Sequence, residues 1–192
     1  PITPNTPAAA SGPHIGYAAM LERFAPREAL ELATLAEAHG FTGVMATDHF
    51  QPWTPQQGEA SFVWNVLSAL GQATTGDLGT GVTAPTFRSP PALTAQASAT
   101  LAALYPGRHW LGIGSGEALN EHVLGDRWPP ADLRLSMLEE AVELIRRLWT
   151  GEQVTGLQVE APHLARAHVD VVRSGFVVVA DRAQESEAVG QH

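Results

Sequence analysis

The chain of 192 residues contains no cysteine. Disulfides and thiolate metal sites are therefore excluded. It also contains no lysine, so all 11 of its Lys-plus-Arg residues are arginine. That removes Schiff-base chemistry and any lysine clamp on a phosphate. Positive charge is scarce overall: 20 acidic residues leave a formal net charge of -9. Such a balance argues against a nucleic-acid partner or an anionic membrane surface. No apolar run is long enough to span a bilayer. Residues 1–13 are rich in Pro, Ala, Ser and Thr. They lack a basic segment followed by an apolar one, and read as a disordered leader rather than a signal peptide. The default expectation is a cytoplasmic soluble protein.

What is present is a regular alternation. His14 to Ala19 reads as a strand, with Glu22 in the loop after it. Pro26 sits where a helix starts, because its missing N–H costs nothing in the first turn. An apolar stripe from Ala29 to Ala36 follows, and Gly40 closes the helix. Phe41 to Ala46 is a second strand, a helix from Phe62 ends near Gly76, and Leu78 to Ala84 is a third strand. Pro91 to Tyr105 is an alanine-rich third helix, Trp110 to Gly114 a fourth strand, and Asp132 caps a fourth helix that Gly151 ends. Strict β–α alternation means a parallel sheet with helical crossovers. An open doubly wound sheet and half of a (β/α)₈ barrel both satisfy it. A complete barrel takes about 250 residues. After Glu152 the pattern changes; Phe176 to Ala180 is the one good strand there, and His163 and His168 read as surface residues.

In parallel α/β folds chemistry gathers where strands end. Four such ends carry reactive groups: Glu22; Asp48 and His49 with Trp53; Gly81 to Ala84; and Ser115, Gly116 and Glu117 with Asn120. Consecutive right-handed crossovers bring them side by side on one rim. Histidine accepts a proton near neutrality, and a carboxyl group desolvated against aromatics acts as an acid. A polar turn after the second strand accounts for Thr47 to Trp53 equally well. The Gly112–Gly116 run is not a dinucleotide fingerprint, since Glu117 falls where the third glycine belongs. It fits a tight strand-to-helix turn, or a backbone wall that lets a flat ring approach. Gly79 and Gly81 inside a strand mark a bulge or a close approach to a ligand. Trp64, Trp110 and Trp149 lie within apolar patterns and read as core; His14, His39, His109 and His122 belong to no constellation.

Several long segments occur in order: Phe24 to Glu28, Ala36 to Gly40, Asp48 to Trp53, Pro85 to Arg88, Leu104 to Arg108 and, above all, Leu111 to Glu121. Together they resemble the F420-dependent glucose-6-phosphate dehydrogenase group of the luciferase-like flavin and deazaflavin oxidoreductases, over the first half of that pattern. The resemblance implies an α/β fold, a partial (β/α)₈ TIM barrel of about four β–α units, binding the deazaflavin coenzyme F420. It implies hydride transfer from a substrate carbinol to the coenzyme. His49 is then the base, Glu117 the acid, and Glu22 and Trp53 line the reacting centre. Asp48, Gly81, Val82, Ala84, Ser115, Gly116 and Asn120 then hold the coenzyme. Ala84 departs from the family's hydroxyl residue at that position, so one coenzyme hydrogen bond is either missing or supplied by neighbouring Thr83. Beyond Thr155 the pattern stops, and with it the segments that hold a sugar phosphate. The implied organisation is a leader over 1–13, a half-barrel over 14–155 and a divergent, atypical C-terminal tail over 156–192. Two other outcomes stay open: a truncated or frameshifted, inactive half-barrel, and an FMN-dependent luciferase-like monooxygenase. A half-barrel leaves the edges of its first and fourth strands unpaired, which invites a homodimer or a partner half-barrel.

Overall fold

The structure, a computed structural model, describes residues 14–151, 153–154 and 176–179. The leader over 1–13, His163, His168 and most of the tail lie outside the described residues. Four strands, β1 (Gly16–Ala19), β2 (Gly43–Ala46), β3 (Asp77–Thr80) and β4 (His109–Gly114), run parallel in the order β1-β2-β3-β4. A doubly wound sheet reverses its strand order at a switch point. Here the order never reverses, so the sheet is a sector of a barrel. β5 (Phe176–Val179) adds to it antiparallel, with Leu111 opposite Val179 and Gly114 opposite Phe176. The outer edge of β4, expected bare, is therefore covered.

The helices α1 (Pro26–Ala38), α2 (Val63–Ala73), α3 (Pro91–Leu104) and α5 (Ala131–Trp149) pack on one face of the sheet. A short α4 (Ala118–Glu121) follows β4, and a single 3₁₀ turn over His122–Leu124 follows that. α1 begins at Pro26 as read, and Gly40 turns the chain out of it with φ +93°. Asp132 does not cap α5. The chain enters the helix one residue earlier, at Ala131 after Pro130, which leaves Asp132 in the first turn, where a carboxylate complements the helix dipole.

Alternation along each strand sends one set of side chains to the helices and the other to the opposite face. Val44, Ala46 and Leu78 meet Ala29, Ala33, Val66, Leu67 and Leu70 in one buried cluster. Leu111 and Ile113 meet Ala95, Leu138, Val142 and Ile145 in a second, and Trp64 packs against both. Trp149 closes the second and donates its indole N–H to the Ala95 carbonyl at 3.1 Å. Trp110 departs from expectation: it belongs to the other face of the sheet. A Cβ on Gly79 would overlap its ring, and one on Gly112 would stand 3.0 Å from its Cζ3. A Cβ on Gly81 would likewise overlap the Met45 sulfur. The strand glycines thus make room for two side chains of the same face, and at Gly79 that replaces the expected approach to a ligand.

At the N-terminal end of the strands, Arg108 donates to the carbonyls of Gly76 (2.9 Å), Gly71 (3.1 Å) and Thr74 (2.8 Å). Its guanidinium stacks 5.3 Å from the Tyr105 ring centre. Glu37 accepts from the Thr75 and Gly76 amides, both at 2.8 Å. His109 has a partner after all: its Nε2 meets Ser98 Oγ at 2.8 Å, beneath α3. Burial lowers its pKa from 6.5 to about 4. Between those values the unfolded chain binds a proton that the folded chain refuses, so stability falls as pH drops through that window. We expect a loss of about 3 kcal/mol from this residue. Urea unfolding of the parent and of His109→Gln at pH 7 and pH 4.5 checks this: the variant should show the shallower fall, and equal falls would dismiss the effect.

Candidate active site at the strand ends

The C-terminal ends of β1 to β4 deliver their loops to one rim, as the topology requires. Glu22 follows β1 directly and is only 2 % exposed. A carboxylate so buried must find donors. It finds two from the loop after β2. Thr47 Oγ1 donates to Oε2 at 2.9 Å, and His49 Nδ1 makes a short contact with Oε1. Thr47 is itself fixed by the Leu21 amide at 2.9 Å. Burial raises the Glu22 carboxyl, but the hydrogen bonds from His49, from its own backbone and from Thr47, with the His49 charge, outweigh it and hold the pKa below the ordinary value. Glu22 therefore stays ionised and keeps a proton on His49 Nδ1, leaving Nε2 directed at the rim.

There Nε2 lies 3.4 Å from Glu117 Oε1. The same oxygen accepts the Trp53 indole N–H at 2.9 Å and the Asn120 amide at 2.7 Å. The Trp53 ring centre is 5.2 Å from that of His49. Glu117 is 48 % and Trp53 57 % exposed. The expected acid is thus wet on one side rather than desolvated against aromatics. The four residues Glu22, His49, Trp53 and Glu117 form one connected set, drawn from three loops.

The remaining predicted residues divide. Gly81 and Val82, joined by a non-proline cis peptide, and Ser115 and Gly116 are partly exposed main chain on the rim. Gly116 turns there with φ +75°, and a Cβ on it would stand 3.2 Å from the Ala84 methyl. Ala84 is buried beneath it. Thr83 cannot replace the missing hydroxyl there. It is fully buried and its Oγ1 donates to Asp48 Oδ2. The other Asp48 oxygen receives Arg88 Nη2 at 2.9 Å. Asp48 therefore turns into the protein, away from the rim. Asn120 also faces inward: its Oδ1 accepts the Phe50 amide at 2.7 Å and the Gln51 amide at 3.2 Å.

Thr47, Arg88 and Glu121 were not singled out from the sequence as site residues. A threonine beside an acid and a histidine, and an arginine in a proline-flanked loop, carry no local signal of their partners, which lie 25 to 40 residues away. A cavity of about 420 Å³ lies apart from the rim, between Pro85–Ala92 and the Met137–Leu148 side of α5. Among the described residues Glu140 is the one ionisable group lining it, so chemistry is assigned to the rim. Among the described residues no cluster has metal-ligand geometry, and no helix is long and apolar enough to cross a membrane.

The family model for luciferase-like monooxygenases matches residues 4–167. The chain belongs to the luciferase-like monooxygenase family. It is 51% identical over 143 residues to an F420-dependent glucose-6-phosphate dehydrogenase of Mycobacterium avium, covering 73% of this chain and 43% of that protein. A second such protein, F420-dependent glucose-6-phosphate dehydrogenase 1 of Rhodococcus jostii, is 50% identical over 142 residues, covering 72% of this chain and 42% of the relative. A solved structure of an F420-dependent secondary alcohol dehydrogenase in complex with an F420-acetone adduct superimposes with TM-score 0.72 and 39% identity, covering 76% of this chain and 44% of that one. The chain thus spans less than half the length of the curated relatives it matches. The likeness agrees with the sector of a (β/α)₈ barrel that the strand order defines.

Asn120 is the residue through which this luciferase-like rim is tied together, since it grips the loop after β2 with one atom and Glu117 with another. Replacing it with leucine leaves both sets of partners unsatisfied, which costs about 1–3 kcal/mol locally. Amide hydrogen exchange at Phe50 and Gln51 should accelerate by about 10-fold or more in Asn120→Leu. Unchanged protection there would show that the loop is held by something else.

Proposed function

We propose that this chain supplies the reacting end of a cytoplasmic F420-dependent oxidoreductase, which moves a hydride between a carbinol carbon and the deazaflavin coenzyme F420. The observation that carries this reading is the linked set Glu22–His49–Glu117–Trp53 on one rim. Its support from relatives is identity of 51% to an F420-dependent dehydrogenase across most of this chain. The residues present fit a flat ring. Gly81, Val82, Ser115 and Gly116 offer main chain with little side chain in the way, and an imidazole and a carboxylate stand beside them. When bound, F420 supplies the hydride-accepting carbon of its ring.

The chain's own residues then have two proton-handling tasks. Ionised Glu22 holds the proton on His49 Nδ1, so Nε2 takes the proton of the substrate hydroxyl, and the imidazolium that results is stabilised by Glu22. Glu117 serves the other task. Its Oε1 is engaged by Trp53 and Asn120, which leaves Oε2 as the oxygen through which it would pass a proton to the coenzyme ring. The Trp53 indole stands beside the His49 ring, with 5.2 Å between ring centres. We assign Gly81, Val82, Ser115 and Gly116 to holding the coenzyme. Asp48, Asn120 and Ala84 shape that surface from behind.

The substrate class is a small carbinol, either a simple alcohol or a sugar-phosphate-like molecule. A phosphate on such a substrate would be held here without lysine, by arginine, hydroxyl or main-chain N–H donors. We take residues 14–155 as the barrel-forming unit, acting as a homodimer or with a partner half-barrel. A second reading, an inactive half-barrel that binds coenzyme without turnover, is favoured by the open rim, where Glu117 and Trp53 are about half exposed.

F420 absorbance and fluorescence titrations, followed by assays with alcohols and sugar phosphates, separate these readings. Saturable binding with turnover that falls about 10²–10⁴-fold in His49→Ala supports the first. Binding without turnover selects the second. No binding at high micromolar F420 overturns both, and tightly bound FMN in the purified protein replaces the coenzyme.

A further inference from the structure

Behind the rim, three loops converge on one arginine. Arg88 lies in the loop after β3, and its side chain is 11% exposed. Its Nη2 donates to Asp48 Oδ1 at 2.9 Å and reaches the Asp48 carbonyl at 3.4 Å. Its main-chain N–H donates to Glu121 Oε2 at 2.9 Å, and its Nε stands 3.9 Å from Glu121 Oε1. Both carboxylates are 2% exposed. Asp48 immediately precedes His49 in the loop after β2. Glu121 immediately follows Asn120 in α4, where the loop after β4 ends.

Two buried carboxylates with one cation between them form an unusual arrangement for a loop region. Burial raises the Glu121 carboxyl, the Arg88 amide and charge oppose that, and the nearby Asp48 and Glu117 charges add to it. Without Arg88 the pair would face each other with no counter-charge, and the loops carrying them would separate or take up water. The guanidinium bonds Asp48 through Nη2, while Glu121 is held by the Arg88 main-chain N–H, with the guanidinium charge 3.9 Å away through an Nε that has no hydrogen-bond partner.

We propose that Arg88 is the positioning residue of this site, fixing the His49 loop through Asp48 and the Glu117–Asn120 turn through Glu121. It touches none of the four residues that form the reacting set. It sets the distance between them by clamping their sequence neighbours. This inference rests on the reading of His49 and Glu117 as the proton-handling pair, but its geometry can be tested without coenzyme.

The test compares the full chain with Arg88→Gln, Arg88→Lys and the double variant Arg88→Gln/Glu121→Gln, which loses one charge of each sign. The primary readout is the His49 ring in nitrogen-15 NMR. In the parent, the Nδ1 proton held by Glu22 should give one sharp, exchange-protected signal. Arg88→Gln should broaden or lose it while circular dichroism stays unchanged, and Arg88→Lys should restore it only in part. A folded Arg88→Gln with the parent His49 signal overturns the proposal. So does loss of fold in both the single glutamine variant and the double variant, because Arg88 would then hold the domain rather than the loop. Where the parent turns over F420, the expected kcat loss in Arg88→Gln is about 10²-fold, with little change in F420 affinity. A parent that binds no F420 defeats the functional reading and leaves the NMR result to decide Arg88.

Discussion

A buried carboxylate sets the terms for this site. Glu22 sits under the rim with almost no access to water, and ionised groups in that position persist only when donors surround them. Thr47 and His49 are those donors, and both come from the loop that follows the neighbouring strand. Satisfying Glu22 therefore fixes the imidazole's orientation and the position of its bound proton. Pairing β1 with β2 in parallel register, Ala19 against Ala46, is what brings acid and imidazole within reach. Sheet register and proton chemistry are thus one problem with one solution.

Above that dry layer the site changes character. Glu117 and Trp53 are half exposed and held by side-chain hydrogen bonds, while Glu22, Asp48, Glu121 and Asn120 are closed in. The lower layer carries the orientation and the upper layer meets whatever arrives. A single amide, Asn120, spans both. Its oxygen faces the loop after β2 and its nitrogen faces Glu117, so neither end can shift without loosening the other.

Much of this was legible in the residues. The β–α alternation, the start of α1 at Pro26, the closing turn at Gly40 and the gathering of Glu22, His49, Trp53 and Glu117 all follow from local pattern and the handedness of crossovers. Three things did not. Trp110 and the strand glycines could be assigned to a face only once β3 and β4 were in register, because complementarity between a missing side chain and a large one crosses strands. Asp48 and Asn120 were expected to face a ligand. Polarity in a loop does not say whether a group satisfies a guest or the protein itself, and here Thr83, Arg88 and two backbone amides take them up. Arg88 stood out only as the end of a family-like segment, and its role was hidden because its two carboxylate partners lie 33 and 40 residues from it.

The far end of the sheet carries a different lesson. Arg108 and Glu37 grip main-chain carbonyls and amides of residues 71–76 and ask almost nothing of the side chains there. Bonds of that kind leave the side chains of residues 72–75 largely free, whereas Gly71 and Gly76 are fixed, because a Cβ there would overlap the Tyr105 ring and the Thr42 carbonyl. The chain can therefore drift in sequence between those two glycines while keeping its shape, and can exchange loops at the other end without first rebuilding its foundations. The residues that keep this end of the barrel sector standing are thus not the residues that line the rim.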